Sequence, residues 1–253
     1  MRISLLGIGW ATASTLGTGK DAGAFSLAPG HFTEAVTNIR LDPPYPRFGR
    51  MDDVSKAALA AVVLAMKDAG LEKWDCKRAI GIIAATRTGC LKTDMDYFQD
   101  ILSHGGGSAS PHHFAYTLPS TFIGDASIYL GITGPGFVVQ EKNTLSLTGL
   151  GLALDTICRG EAAHMVAGAY DAGIPEPLGF GEDSKPYAVF LVIGKAVPGS
   201  MGYGEIETAH RGTVRFRGKP IYNLLDILRA DPFLSKKDSS NRKGIDPCRP
   251  GSL

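Results

Sequence analysis

Apolar residues along this chain come in two rhythms. Some form short unbroken runs closed by glycine, and others recur at helical spacing. Ile3 to Ile8 is a run of the first kind, closed by Gly7 and Gly9, and predicts a buried strand. Arg78 to Ala85, Phe137 to Gln140, His164 to Tyr170 and Tyr187 to Ile193 predict four more. The segment from Glu205 to Phe216 reads as one further strand. Residues 53–69 predict a helix capped by Asp52 and stopped by Gly70. Its interior is apolar nearly all round, so it should be buried rather than surface-docked. Helices are also predicted over Thr93 to His104, through Met95, Phe98 and Leu102, over Pro119 to Leu130, and briefly over 222–230. Thr144 to Cys158 should be the core helix, apolar through Leu145, Leu147, Leu150, Leu152, Leu154 and Ile157. Residues 15–50 carry turn residues with little periodicity and read as a long surface loop. Residues 105–110 read as a flexible connector.

Strands that alternate with helices, and that are apolar without alternation, belong to a largely parallel sheet covered on both faces. The expected fold class is therefore α/β, layered α/β/α, on a mixed sheet of about five strands. The division expected is a main domain over 1–216 and a short helix with a flexible tail over 217–253, the last twenty residues being polar and without apolar anchors.

Composition narrows the function. Apolar residues are 44% of the 253, enough for a large core. The formal net charge is +1, which gives no reason to expect nucleic acid as a partner and leaves self-association unopposed. No apolar run reaches the ~18 residues of a membrane span, and the N-terminal run is too short for a signal peptide. Cys76, Cys90, Cys158 and Cys248 are widely spaced, which suggests neither a zinc site nor a disulfide framework and points to a reducing cytoplasm.

Several motifs invite chemistry that the chain does not complete. Gly7-Ile-Gly-Trp-Ala-Thr12 half-fits a dinucleotide fingerprint, but its third glycine is Thr12 and a loop follows. His104-Gly-Gly-Gly107 matches a lipase oxyanion segment without the required G-x-S-x-G elbow. His112 and His113 are adjacent, and neighbouring side chains seldom converge on one metal ion. Ser146 sits at a helix start, where serine is ordinary, and spacing identifies no base for it. No metal and no cofactor are expected.

From Phe48 to Asp171 the chain resembles the β-ketoacyl-acyl carrier protein synthases. The shared words are Phe48-Gly-Arg-Met-Asp52, Ile80-Gly-Ile-Ile83 before Thr86-Arg-Thr-Gly89, and Leu118-Pro-Ser120. The most specific is Ile128-Tyr-Leu-Gly-Ile-Thr-Gly-Pro135, and Met165-Val-Ala-Gly-Ala169 follows. The resemblance covers the N-terminal half of such an enzyme and implies half of a thiolase-like fold. In that family a cysteine at a strand-to-helix turn is the nucleophile, its pKa lowered by the helix N-terminus. Backbone N–H groups there hold the oxyanion, and two histidines of the second half assist decarboxylation.

Counted from Gly134-Pro135, the nucleophile position falls on Asn143, and the nearest cysteine is Cys158, at the far end of the expected helix. About 37 residues follow Phe216, too few for a second half with its own sheet, and His210 has no matching context. The resemblance therefore implies a non-catalytic partner in fatty acid or polyketide synthesis, like a chain-length factor. The alternatives are a module binding acyl thioesters or an acyl carrier protein, and an enzyme of altered chemistry. The expected partners are a second copy or an active ketosynthase, with an acyl carrier protein as a further candidate. The expected interface is the strand Phe137, Val138, Val139, Gln140 and Glu141, because ketosynthases pair through it and an apolar edge invites pairing.

Overall fold

The computed structural model describes residues 2–103, 105, 107, 109–173, 185–195, 202–209 and 212–230. Two strands, β1 (Ile3–Thr12) and β2 (Leu16–Thr18), open the fold. Then come α1 (Glu34–Thr37), α2 (Asp53–Asp68), β3 (Ile80–Thr86), α3 (Leu91–Ser103), α4 (Pro111–Ala115) and α5 (Thr121–Leu130). The chain continues through β4 (Gly136–Gln140), α6 (Thr148–Cys158), β5 (His164–Asp171) and β6 (Tyr187–Lys195). It closes with β7 (Gly204–Thr208), β8 (Val214–Phe216), β9 (Lys219–Pro220) and α7 (Leu224–Arg229).

The strands form one mixed sheet in the order β4-β3-β5-β6-β1-β7-β8-β9, with β2 added on β1. β4 and β5 run parallel to β3, whereas β6 is antiparallel to both β5 and β1. The α/β/α expectation holds. One core lies under α2 and α5 and the other under α6 and α7. The strand number is corrected from about five to nine among the described residues. The expected five are the contiguous set β4-β3-β5-β6-β1. The additions stand beyond β1, where β2 and the β7–β9 ribbon share its outer edge.

Other expectations change in detail. The segment 205–216 is two strands of a hairpin rather than one. Part of the long loop is ordered as β2, α1 and 3-10 turns at Gly19–Ala24 and Phe48–Arg50. Cys90 and Cys158 are free thiols, but Cys76 is disulfide-bonded, which the cysteine spacing did not suggest. His210 and the tail from 231 onward lie outside the described residues. Among those described, no helix is long and apolar enough to cross a membrane.

α2 is the packing anchor. The Asp52 carboxylate accepts the Ser55 N–H at 3.0 Å, and Gly70, at φ +73°, turns the chain out of the helix. Ala57 through Val62 are fully buried against β1 and β6. This close approach needs Gly9, since a Cβ there would lie 2.1 Å from the Ala61 carbonyl oxygen.

Candidate active-site elbow

The parallel strands β3, β4 and β5 end on the same side of the sheet, where α/β folds place their functional groups. At that end the Asp171 carboxylate, 1% exposed, gathers the surrounding chain. It accepts the Thr86 hydroxyl at 3.0 Å, and the Thr88 N–H and hydroxyl at 2.8 Å each. The Arg87 N–H, at 3.0 Å, is a further donor. A fifth donor is the Tyr187 phenol on β6, at 2.9 Å. A buried carboxylate is tolerated because this many donors replace its water shell.

Tyr187 carries the network into the turn after β4. Its hydroxyl oxygen accepts the Leu145 N–H at 2.9 Å. Leu145 is itself buried, at φ +55°, a left-handed conformation that a branched side chain rarely adopts. Its carbonyl accepts the Leu224 N–H at 3.0 Å, tying α7 to the same turn. Burial, then the neighbouring Asp171 charge, push the Tyr187 phenol far up, so it stays protonated and donates.

The left-handed residue explains why the core helix starts later than periodicity predicts. α6 begins at Thr148, not Thr144, and Leu147 and Leu152 are only partly buried. Leu150, Leu154 and Ile157 are fully buried as expected. Ser146 accepts the Thr148 N–H at 3.1 Å and donates to the Thr148 hydroxyl at 3.0 Å, which donates to Glu141 at 2.6 Å. That chain of bonds secures the first turn of α6.

Asn143 lies in this turn, exposed and ahead of the helix. Neither free thiol among the described residues lies in this turn. Cys158 ends α6, and the Cys90 thiol is pushed up to about 12 by burial and then by Asp94. His113 lies in α4 and lines a cavity of about 460 Å³ with His31, Met51, Thr93, Tyr116 and Ala172. No group of three potential ligands for a metal ion occurs among the described residues.

The five residues expected as an interface stand at the sheet margin. Among the described residues β4 is the end strand, paired only with β3. Phe137 is exposed, Val138 and Val139 are half-buried, and Glu141 falls just past the strand.

Residues 17–182 match the model of the β-ketoacyl synthase N-terminal domain. The chain belongs to the β-ketoacyl synthase family. A provisionally named polyketide beta-ketoacyl synthase 1 of Streptomyces virginiae is 32% identical over 136 residues, 49% of this chain and 31% of that protein. Among solved structures, the ishigamide ketosynthase/chain length factor covers 81% of this chain and 62% of that one, at TM-score 0.66 and 17% identity. A type II polyketide ketosynthase in complex with its acyl-carrier protein gives TM-score 0.62 at 16% identity, covering 81% of this chain and 67% of that one. The thiolase-like fold of this β-ketoacyl synthase relative is thus shared with solved ketosynthases. The chain spans about three tenths of the length of the curated relatives it matches.

Sequence reasoning missed Asp171 and Tyr187 as site residues. Asp171 closes an apolar run with a charge, which was the available signal. Tyr187 gave none, since it opens a strand like any aromatic.

Proposed function

We propose that this chain is a non-catalytic β-ketoacyl synthase-like subunit of fatty acid or polyketide synthesis, pairing with an active ketosynthase as a chain-length factor does. What supports this reading is Asn143, the residue reached by counting from Gly134-Pro135 to the family's nucleophile position, in the turn before α6 whose Leu145 is held by Tyr187 and Asp171. Asparagine offers no thiolate to accept an acyl group. A turn tied through the Leu145 N–H to Tyr187, and through Tyr187 to an Asp171 carboxylate that also gathers the turn after β3, fits a partner's role better than an abandoned fold.

Pairing is supported by the open edge of β4. An end strand with apolar side chains offers unpaired N–H and C=O groups to a second strand. We take Phe137, Val138, Val139, Gln140 and Glu141 as its contact residues, with a homodimer in isolation and a ketosynthase heteromer in the cell.

The test is incubation of the purified chain with acyl and malonyl thioesters of an acyl carrier protein. Mass spectrometry should find no acyl adduct on any residue, and no β-keto product should form. A covalent adduct would overturn the reading. Affinity purification from the native host should bring down a ketosynthase; carrier protein alone would favour the acyl-carrier-binding module instead.

A further inference from the structure

α7 walls a groove at the other end of the sheet from β4. Its side chains Leu224 and Ile227 are fully buried and anchor the helix in the core. Leu225 is only partly buried and, with Leu228, forms one apolar wall of a cavity of about 460 Å³. Phe25 and Leu27 form the other wall. A cavity of that size holds a small organic ligand. Both walls are fixed. The Phe25 ring meets Trp10 edge-on at 5.4 Å. α7 is held by Asn223 and Asp226, each of whose side chains accepts the other's backbone N–H. The Leu224 N–H, donated to the Leu145 carbonyl at 3.0 Å, secures it further.

The rim carries charge of one sign. Lys185, just before β6, and Arg229 line this cavity, and no acidic side chain does. Among the described residues neither cation takes part in an ion pair. The cavity beside His113 differs, because Asp52, Asp53 and Asp96 line it together with Arg50 and Lys92. Arg229 follows Leu225 by one helical turn, which sets a cation beside the apolar wall. Two like charges on one rim repel, and an anion between them removes that cost. A guanidinium also offers a planar fork to a carboxylate or phosphate. Lys185, Leu225, Leu228 and Arg229 all lie past residue 182, where the match to the family's N-terminal domain ends. The groove is therefore a feature of this chain's own C-terminal part.

We propose that this groove binds an anionic amphiphile, an aliphatic tail ending in a carboxylate or phosphate. The tail lies between Phe25 and Leu27 on one side and Leu225 and Leu228 on the other, and the head lies between Lys185 and Arg229. Removing the tail from water supplies affinity. The two cations select the sign of the head, since a neutral or cationic head leaves both unpaired. No residue of the elbow or of β4 lines the groove, so the site stands whether or not the chain is catalytic.

Isothermal titration of the full chain tests this, with decanoate and decyl phosphate as probes below their micellar concentrations. At least one of them should bind at a single saturable site per chain, and the tighter names the head group. Decanol and decyltrimethylammonium should bind roughly tenfold or more weaker. Lys185→Gln and Arg229→Gln should each lower the anion's affinity by about tenfold, the worth of one charge-assisted hydrogen bond. Neither cation makes an ion pair within the chain, so circular dichroism of these variants should match the wild type. Leu225→Trp, which fills the groove, should abolish binding. Arg215→Gln on β8, outside the groove, should leave it unchanged. A decanoate carrying a diazirine should label the chain around residues 25–27 and 225–229 on irradiation. No heat from either anion overturns the proposal, and is the result if a segment of this chain or a second copy already fills the groove. Decanol binding as tightly as decanoate, several equal sites per chain, or full affinity in the Lys185→Gln, Arg229→Gln double variant would overturn it equally.

Discussion

The Tyr187 phenol and the Asp171 carboxylate, 2.9 Å apart at the ends of neighbouring antiparallel strands, hold the turn that follows β4. The same phenol oxygen receives the Leu145 N–H, so one side chain fixes a left-handed residue that the sequence alone would not place there. Tyr187→Phe strips both bonds and leaves a buried N–H without a partner. The expected cost is about 1–3 kcal/mol, at about 2–4 °C of Tm for each kcal/mol in a chain this size. Thermal denaturation checks it, and an unchanged Tm would show that the turn holds itself. Asp171→Ala should cost more, because it also abandons the N–H groups of Arg87 and Thr88.

Asn143→Cys should not restore condensation. Asn143 is exposed and precedes the first turn of α6, so a thiol there gains little from the helix N-terminus. Its alkylation by iodoacetamide should follow an ordinary thiol pKa near 8.5. A profile with its midpoint below about pH 7 would mean that the turn still activates a nucleophile.

Cys90 should make the protein lose stability in alkali. Burial and then Asp94 raise its pKa to about 12, and burial and Asp125 raise Tyr116 to about 12. Both groups are held protonated in the folded chain. Their contribution is complete below the unfolded pKa, about 8.5 for the thiol and about 10 for the phenol, and is lost as pH rises towards 12. Urea midpoints should fall between pH 8 and 10.5, and Cys90→Ala should flatten the first part of that fall. At pH 8 a thiol-labelling reagent should modify Cys158, which is exposed, and reach Cys90 only after unfolding.

Two glycine substitutions should act with opposite sign. A Cβ on Gly168 in β5 would lie 2.0 Å from the Val189 carbonyl oxygen, so Gly168→Ala must push β5 and β6 apart. That overpacking costs about 1–3 kcal/mol or more. A Cβ on Gly151 in α6 meets open space, so Gly151→Ala should stabilise by up to about 1 kcal/mol. Denaturant midpoints of the two variants test both signs.

The sequence by itself determined the layered α/β class and the buried α2. Each is local. Apolar run length tells a doubly covered strand from a loop, and Asp52 and Gly70 mark the ends of α2. Only the tertiary structure decided the rest. β7, β8 and β9 are short, so their pairing depends on the edge that β1 leaves open and not on their own pattern. The start of α6 moved to Thr148 because Tyr187, 42 residues away in the chain, holds Leu145 out of the helix. The apolar spacing of Phe98 and Leu102 is the same whether that face is covered or bare. Periodicity reports which side chains share a face, and only the packed chain determines what that face meets.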